Sequence, residues 1–316
     1  MPRSPDAPAL HAAPLRARLK AAAEHLAVGG GVAAAARARM RGASLVLAWH
    51  GVVPDGEPAA GERPLHVGQR RFAGQLDALL RTHDVVPLAE VLVPARGGRP
   101  RAALTFDDAY AGAVTAGVGE LAARGLPATF FAVPGLVGAD GFWWDALVPP
   151  GADGPPADFR AEALHRARGE DAAVRALART RGLREHPLPP HARPASLAQL
   201  HAAARVPGIT IASHTWSHPS LARLSADEVE DEVRRPLAWL REHFPSASIP
   251  WLSYPYGAWT AEVARAAKAA GYAGAVRVEG GWVPRPMDPW ALPRVNVPAG
   301  LSPRGLALRA AGLLCR

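Results

Sequence analysis

The stretch RAALTFDDAYAGA, residues 101–113, contains a short apolar run that ends in two adjacent acids, Asp107 and Asp108. The run from Ala102 to Phe106 has the length and composition of a buried strand. Neighbouring side chains of a strand point to opposite faces of the sheet. The two acids therefore form either a solvated turn or a pair of functional groups that are aimed in different directions.

Apolar runs of the same kind recur along the chain and alternate with helical patterns. The predicted strands are 44–50, 102–108, 128–135, 208–214, 249–257, 272–278 and 291–297. The predicted helices between them include 70–83, 111–125, 225–244 and 260–272. Continuous apolar strands that alternate with helices are typical of a parallel sheet with both faces covered. The pattern predicts an α/β protein with a distorted, incompletely closed (β/α) barrel of seven to eight units.

Polar residues follow several of the predicted strands at the point where each strand ends. His50, Asp107, Asp108, His214 and Tyr256 all occupy such positions. In a (β/α) barrel the carboxyl ends of the strands form one rim, and the chemistry lies there. The agreement between separate strands predicts a functional site at this rim.

The composition favours a soluble globular protein and excludes several other classes. The chain has 316 residues, 49% of them hydrophobic, without a long uncharged apolar stretch. Its single cysteine, Cys315, excludes an internal disulfide framework. The net charge of +8 reflects an Arg-rich bias of the whole sequence. The sequence lacks the interleaved basic and aromatic residues of proteins that bind single-stranded nucleic acid. We therefore expect no nucleic-acid partner.

The amino-terminal residues do not resemble a secretory signal peptide, because their apolar segment is rich in Ala and Gly and runs into several arginines. This predicts a cytoplasmic protein. Residues 9–27 could form an Arg-rich amphipathic helix. Such a helix is either a solvated leader or a contact to a membrane surface.

The segment HTWSH, residues 214–218, places two histidines four residues apart directly after a predicted strand. On a helical turn this spacing puts both imidazoles on one face, where they can bind one metal ion. The alternative is a pair of exposed or capping histidines. Two histidines and one carboxylate would form a metal site of the catalytic type, with open positions for water and substrate. Zinc is the first candidate, although other divalent ions accept similar ligands.

Three motifs, TFDD, HTWSH and YPYG, occur in this order, each at the end of a predicted strand. Together they resemble the polysaccharide deacetylase family with the NodB-homology domain, also called carbohydrate esterase family 4. The resemblance covers roughly residues 43 to 300, with the segment 138–207 outside it. It implies a distorted (β/α) barrel that hydrolyses an N-acetyl group from an amino sugar.

The resemblance also implies roles for individual residues. Asp107 matches the general base of the family, and the metal ligands match Asp108, His214 and His218. In the third motif Pro255 shapes the groove wall. The backbone N–H of Tyr256 would help to stabilise the oxyanion; the alternative for Tyr256 is a plain core tyrosine.

The sequence departs from the family pattern at two places. Ser253 stands where the family often has an arginine that orients the base, and Arg294 is the candidate substitute. The family usually supplies a histidine as general acid from a late strand, but no histidine follows residue 257 and the last strand carries Asn296. His50 is then the best candidate for an acid or a substrate contact, the alternative being a histidine that only braces the rim. Without such an acid, solvent or Asp107 would return a proton to the amine.

Residues 138–207 are long for a single connection between a helix and a strand. We interpret them as an insertion, a helical lid with an aromatic hinge at Phe142, Trp143 and Trp144. These rings either pack the insertion onto the barrel or stack on a sugar. The predicted organisation is an Arg- and Ala-rich helical leader at 1–42, followed by a NodB-like deacetylase domain at 43–316 that contains the insertion.

The sequence leaves three functions open. The first is metal-dependent hydrolysis of an N-acyl group, in the simplest case N-acetyl, on an amino sugar of a polysaccharide or glycan intermediate. The stretch LAWHGV (47–52) resembles the start of deacetylases that act in exopolysaccharide synthesis, which favours this branch over members directed at chitin or peptidoglycan. The second is a carbohydrate-binding protein with an inactive metal site, which the missing arginine and histidine would explain. The third is a deformylase that acts on a lipid- or nucleotide-linked amino sugar.

Overall fold

The computed structural model describes residues 24, 35–36, 43–93, 98–278, 280–283 and 286–313. Except for Glu24, the amphipathic helix predicted over residues 9–27 lies outside the described residues, as does Cys315. None of the helices that the structure describes is both long and apolar enough to cross a membrane.

Seven of the ten strands in the described part of the chain lie close to predicted positions. The strands are β1 Ser44–Trp49, β2 Gly51–Val53, β3 His66–Gly68, β4 Asp84–Val85, β5 Arg101–Phe106, β6 Ala128–Ala132, β7 Ile209–Ser213, β8 Ser248–Ser253, β9 Gly274–Val276 and β10 Val295–Asn296. Of these, β2, β3 and β4 were not predicted. Strands β2 and β3 form a separate parallel pair. All seven runs predicted from the sequence contain a strand of the main sheet.

The main sheet is parallel throughout and has the order β10-β1-β5-β6-β7-β8-β9, with β4 paired to the first residues of β5. Between β9 and β10, the described residues continue the sheet through an isolated bridge, in which Val276 pairs with Leu292. The result is a curled, incompletely closed barrel. The predicted (β/α) fold is therefore confirmed.

Both faces of the sheet are buried, which explains the continuous apolar runs. Alternate residues of one strand belong to different apolar clusters: Leu45 and Leu47 pack against the helices, whereas Val46 belongs to a cluster inside the barrel. Phe130 and Phe131 divide in the same way. This period of two decides which side chains of a strand can reach the barrel interior.

Several helices pack against the strands. The described helices are α1 Gln69–Leu80, α2 Val118–Ala122, α3 Trp143–Ala146, α4 Ala157–Arg166, α5 Asp171–Thr180, α6 Leu197–Ala204, α7 Ala226–His243, α8 Ala261–Ala270 and α9 Pro303–Ala310. Among them, α6 and α7 lie beside β7. A capping box of Ser225 and Glu228 starts α7, and the Thr260 side chain caps α8. Gly271 ends α8 in a left-handed conformation, as glycine does readily.

The helix predicted over residues 111–125 differs from expectation at its start. Residues Ala113–Gly117 form a π-helical turn before α2 begins. Close packing accompanies this turn: a Cβ atom on Gly112 would lie 2.0 Å from the carbonyl oxygen of Val52, and one on Gly117 would lie 3.2 Å from the Val52 side chain. Only glycine permits such a close approach of the two backbones.

Residues 138–207 contain four of the helices, α3 to α6, between β6 and β7. The last of them, α6, packs beside β7 as a normal crossover helix would. The aromatic residues Phe142, Trp143 and Trp144 are buried, and the rings of Phe142 and Trp144 stack at 4.7 Å. Burial favours the packing role for Phe142 and Trp143, because a buried ring has no face free for a sugar. That the segment is an insertion into the family fold stays a prediction.

Candidate metal centre and active site

A cavity of about 150 Å³ opens at the carboxyl ends of the strands. It brings together all six residues that the sequence singled out for chemistry, although they are spread over more than 200 positions of the chain. The lining residues are His50, Leu65, Asp107, Asp108, Trp144, Arg160, His214, His218, Tyr256, Val278 and Asn296. This convergence places the candidate site at the rim that the sequence predicted.

The adjacent acids Asp107 and Asp108 do point in different directions. Asp107 follows the parity of Ala103 and Thr105, whose side chains are on the inner face of β5, and it lies inside the barrel. Asp108 has a φ of +66°, which few residues other than glycine adopt. This turn of the backbone takes Asp108 out of the strand alternation and directs its carboxylate to the two histidines.

The guanidinium of Arg294 binds the carboxylate of Asp107. Its Nη1 donates to Oδ1 at 2.7 Å and its Nη2 to Oδ2 at 2.6 Å, which is the bidentate geometry of a strong charged pair. Nη2 also donates to the hydroxyl of Ser253. Arg294 thus makes the contact with Asp107 that the family's arginine at the position of Ser253 was expected to make. Burial alone would raise the pKa of Asp107, but the Arg294 guanidinium, together with the neighbouring His214 and His50, holds the pKa well below its ordinary value.

We expect the substitution Arg294→Met to destabilise the protein by about 3–5 kcal/mol, because it leaves the buried Asp107 carboxylate without its counter-ion. Urea unfolding measures this loss. In the double variant R294M/D107N the uncompensated charge is removed, so part of the stability should return. Equal losses in the single and double variants would show that the charge of Asp107 is not the cause.

The nitrogens and oxygen of three buried side chains converge on one point. Nε2 of His214 and Nε2 of His218 are 3.2 Å apart, and Oδ1 of Asp108 lies 3.6 Å and 3.5 Å from them. Oδ1 of Asp108 has no hydrogen-bond partner within the described part of the chain, which is unusual for a buried carboxylate. Two imidazole nitrogens and a carboxylate oxygen fit a divalent metal such as zinc.

The protonation of these groups also suits a metal. Nδ1–H of His214 donates to the backbone carbonyl of Ser253 at 2.8 Å, which leaves the lone pair of Nε2 for a ligand bond. Burial lowers the pKa of both His214 and His218, so the imidazoles are neutral. Burial and the neighbouring charge of Asp107 raise the pKa of Asp108 well above its usual range. A cation at this point would compensate the cost of the buried Asp108 charge.

The prediction of a helical turn over residues 214–218 is wrong. The two histidines are brought together by an irregular loop in which Thr215 and His218 have φ values of +65° and +64°. The hydroxyl of Thr215 accepts the backbone N–H of His218, and the hydroxyl of Ser213 accepts that of Thr215. These side chains provide hydrogen bonds that a helix would have made with its own backbone.

Glu232, on helix α7, holds the same loop from the outside. Its Oε2 accepts the backbone N–H groups of Trp216 and Ser217, both at 2.9 Å, and its Oε1 accepts the Ser217 hydroxyl at 2.6 Å. The Trp216 N–H also reaches the backbone carbonyl of Glu232. One carboxylate therefore fixes the two residues that immediately precede His218.

We expect Glu232→Ala to weaken metal binding roughly tenfold, because supporting hydrogen bonds around metal ligands contribute 10- to 100-fold and one backbone bond to residue 232 remains. Competition with a chromogenic chelator measures the affinity for zinc. Glu230→Ala is the matched control, since Glu230 is exposed on the same helix and pairs only with Arg234 among the described residues. An unchanged affinity in the Glu232 variant would show that the loop holds its shape without this carboxylate.

Two aromatic rings enclose the imidazole of His218. The centroid of Trp144 lies 4.6 Å from it, and that of Tyr256 lies 4.7 Å from it at a nearly perpendicular angle. Tyr256 has a φ of +58°, and its hydroxyl donates to the carbonyl of Gly169. Tyr256 is therefore half-buried against a metal ligand instead of lying in the general core.

A buried network fixes Trp144 in turn. Its Nε1–H donates to the hydroxyl of Tyr110 at 2.8 Å, and that hydroxyl donates to Oδ2 of Asp145 at 2.6 Å. Nε2 of His66 lies 2.9 Å from Oδ1 of the same carboxylate. The network joins the segment after β6 to the chain around β3 and β5. The ring next to His218 is thus positioned by hydrogen bonds as well as by packing.

His50 and Asn296 face the pocket from β1 and from the last strand. Burial lowers the pKa of His50 to about 4, with the charge of Asp107 opposing this shift. At neutral pH the imidazole is therefore uncharged. Asn296 occupies the strand position for which the family resemblance had suggested a histidine, so this position supplies an amide and no acid.

Several residues of the site were not predicted. Three of them lie on helices, namely Glu232, Asp145 and Arg160. Their neighbours in the sequence are charged or aromatic residues of the kind found in ordinary surface or core helices. Nothing in a helical pattern distinguishes a carboxylate that supports a loop from one that is solvated. The only available signal was the WWD sequence at 143–145, in which an acid directly follows two large apolar residues.

Comparison with known proteins gives one family and a set of similar folds. A family model described as polysaccharide deacetylase matches residues 95–275. A chitooligosaccharide deacetylase from Bradyrhizobium sp. (strain ANU 289) is 38% identical over 89 residues, which are 28% of this chain and 38% of that protein. The matched stretch thus spans well under two thirds of the length of the curated relative.

Two solved structures are similar in fold. The Streptococcus pyogenes deacetylase PplD, in complex with acetate, is 18% identical with a TM-score of 0.58, covering 85% of this chain and 98% of that chain. IcaB from Ammonifex degensii is 18% identical with a TM-score of 0.60, covering 85% of this chain and 97% of that chain. At these identities the similarity concerns the fold.

Proposed function

The chain belongs to the polysaccharide deacetylase family, whose model matches more than half of its residues, and we propose that it is a metal-dependent hydrolase that removes an N-acetyl group from an amino sugar of a glycan. The observation that carries this proposal is the position of Asp107. It is held ionised by Arg294, and its Oδ2 is 4.0 Å from Nε2 of His214 in the candidate metal cluster.

Asp108, His214 and His218 would hold the metal, with zinc as the first candidate. A bound divalent ion would polarise the acyl oxygen and acidify a water molecule. The two imidazoles are kept neutral and oriented by burial, by Ser253 and by the aromatic rings. These three side chains thus provide a prepared site with room for substrate.

Asp107 is the proposed general base. It accepts a proton from the attacking water, whose oxygen adds to the acyl carbon; the C–N bond then breaks and acetate forms. The backbone N–H of Tyr256, in the loop after β8, is the proposed donor to the developing oxyanion. The pKa of Asp107 is low because of Arg294, so once protonated it is a strong acid.

The same property of Asp107 suggests the source of the proton for the leaving amine. His50 is neutral with a pKa of about 4, which disfavours it as the acid and leaves it the role of a substrate contact. We propose that Asp107 returns its proton to the nitrogen as the C–N bond breaks. The proton count then balances, because the water supplies one hydrogen to the amine, and the other is first part of acetic acid and is released to solvent when the acid ionises to acetate.

The test is product release from a panel of defined substrates. N-acetylated chitooligosaccharides and their N-formylated counterparts are incubated with the zinc-loaded protein, and acetate, formate and free amine are quantified. We expect acetate and amine in equal amounts from the acetylated substrates. Formate without acetate would assign deformylation, and binding of the glycans with neither product would assign a carbohydrate-binding protein.

A further inference from the structure

Arg160 brings a guanidinium group from helix α4 to the wall of the catalytic pocket. The proposed chemistry gives it no task, because Asp107 already has Arg294 as its counter-ion. Its Nη1 donates to Oε2 of Glu62, a residue of the loop before β3. Within the described part of the chain, Nε and Nη2 of Arg160 make no other hydrogen bond.

The pair of Arg160 and Glu62 is held in place from both sides. The backbone N–H of Glu62 donates to Oδ1 of the buried Asp145 at 2.8 Å. The backbone of Glu62 is therefore linked to the network that fixes Trp144. The backbone N–H of Arg160 donates to Pro156 in the first turn of α4. Both backbones are thus anchored, and the hydrogen bond to Glu62 restrains the guanidinium, so that it loses less conformational entropy when it binds a ligand than a free arginine would.

Exposure shows that the pair lies nearer to solvent than the reacting groups. The side chains of Asp107 and Asp108 are 2% and 3% exposed, whereas those of Glu62 and Arg160 are 15% and 34% exposed. A substrate whose acyl group reaches the carboxylates at the bottom therefore has its remaining part beside Arg160. A cavity of about 150 Å³ does not hold more than a small part of an oligosaccharide below this level.

Much of the remaining wall is apolar. Leu65, Val278, Trp144 and Tyr256 offer carbon surface, and Arg160 offers a polar group among them, which is paired with the neighbouring Glu62. Such a combination is typical of sites that fix the orientation of a small polar ligand. A sugar hydroxyl both donates and accepts, so it can interact with a guanidinium N–H and a carboxylate oxygen at once.

Resting on the proposed function, we propose that Arg160 and Glu62 form a subsite that binds the ring hydroxyls of the amino sugar whose N-acyl group is hydrolysed. The ligand is a neutral sugar, because Glu62 already balances the charge of Arg160 and leaves no net charge for an anionic substituent. The two residues determine specificity and do not take part in proton transfer.

The test compares Arg160→Ala with the wild type on two substrates. For acetate release from an N-acetylated chitooligosaccharide we expect kcat/KM to fall about 10- to 100-fold, as for the loss of one or two hydrogen bonds to a charged group, and KM to carry most of the change. For 4-nitrophenyl acetate, which has no sugar, and for zinc affinity, we expect no change. Equal losses on both substrates would overturn the proposal.

Two further variants separate recognition from structure. Arg160→Lys should recover part of the lost affinity, because it keeps a donor near Glu62 without the planar fork. Arg181→Ala is the matched control, since Arg181 also pairs with acids of helix α4 but is not among the described residues that line the pocket. A loss as large in the Arg181 variant as in Arg160→Ala would assign the effect to the stability of α4.

A binding measurement keeps this inference independent of turnover. Calorimetric titration with N-acetylated chitotetraose should show weaker binding to Arg160→Ala than to the wild type, even in the inactive Asp107→Asn background. If the wild type releases no acetate from any glycan, the proposed function fails. If acetate is released but the protein with Arg160→Ala binds the glycan as tightly as the protein with Arg160, only the proposed subsite is wrong.

Discussion

In the variant Asp107→Asn, acetate release should fall by about 10²- to 10⁴-fold while zinc remains bound with unchanged affinity. The asparagine amide keeps the size of the side chain but cannot accept the proton from water. Asp107 contributes none of the three converging ligand atoms, which belong to Asp108, His214 and His218, so the substitution should leave the metal cluster unaffected. The measurement is kcat for acetate release together with the zinc content of the same sample.

The loss of the charge pair with Arg294 needs its own check, because this pair is buried. Circular dichroism and thermal unfolding establish that the Asp107→Asn protein is folded before its activity is interpreted. A folded variant that binds zinc and retains more than about a tenth of the wild-type rate would contradict the assignment of Asp107 as the base.

The variant His214→Ala should lose both zinc and activity. It removes one of three ligand atoms, and we expect an affinity loss of more than about 100-fold, since even a supporting contact around a ligand contributes 10- to 100-fold. Equilibrium dialysis with zinc measures the loss. Together with Asp107→Asn this variant separates residues that hold the metal from the residue that moves the proton.

The control for the histidine is His165→Ala, because His165 is exposed at the end of α4. It should change neither zinc affinity nor acetate release. If His214→Ala still binds zinc as tightly as the wild type, the metal does not lie between Asp108, His214 and His218, and the proposed site is wrong.

The fold could be predicted because each strand carries its own signal. A strand with both faces buried is a continuous apolar run, and each of the seven runs, such as 128–135, contains one strand of the main sheet. Capping residues such as Ser225 and Thr260 likewise act locally. What the sequence did not show was the closure of the barrel between β9 and β10, which depends on contacts between distant segments.

The backbone of the site could not be predicted in the same way. Of the six non-glycine residues with positive φ in the described part of the chain, five lie in the loops of the site: Asp108, Ala109, Thr215, His218 and Tyr256. Such conformations cost about 1–3 kcal/mol each and persist only where surrounding contacts impose them. A histidine spacing of four therefore suggested a helix, whereas tertiary contacts such as those of Glu232 produce an irregular loop.

The contacts of Asp107 illustrate a second limit. Arg294 is 187 positions away from Asp107 in the sequence. It was a candidate only because this chain has Ser253 where the family often has an arginine. The structure places the guanidinium where that reasoning required it, with Ser253 as a hydrogen-bond partner. Arg160 and Glu62 had no such family position to indicate them, and the pairing of Arg160 in the pocket wall with Glu62 emerges only from the folded chain.

The most direct test of the account is acetate release before and after the removal of metal. The wild-type protein is stripped with a chelator, assayed on an N-acetylated chitooligosaccharide, and assayed again after stoichiometric zinc is restored, with Asp107→Asn treated in parallel. We predict that the stripped protein is inactive, that zinc restores the wild type, and that Asp107→Asn takes up zinc but stays inactive. Full acetate release by the metal-free wild type would contradict the central claim.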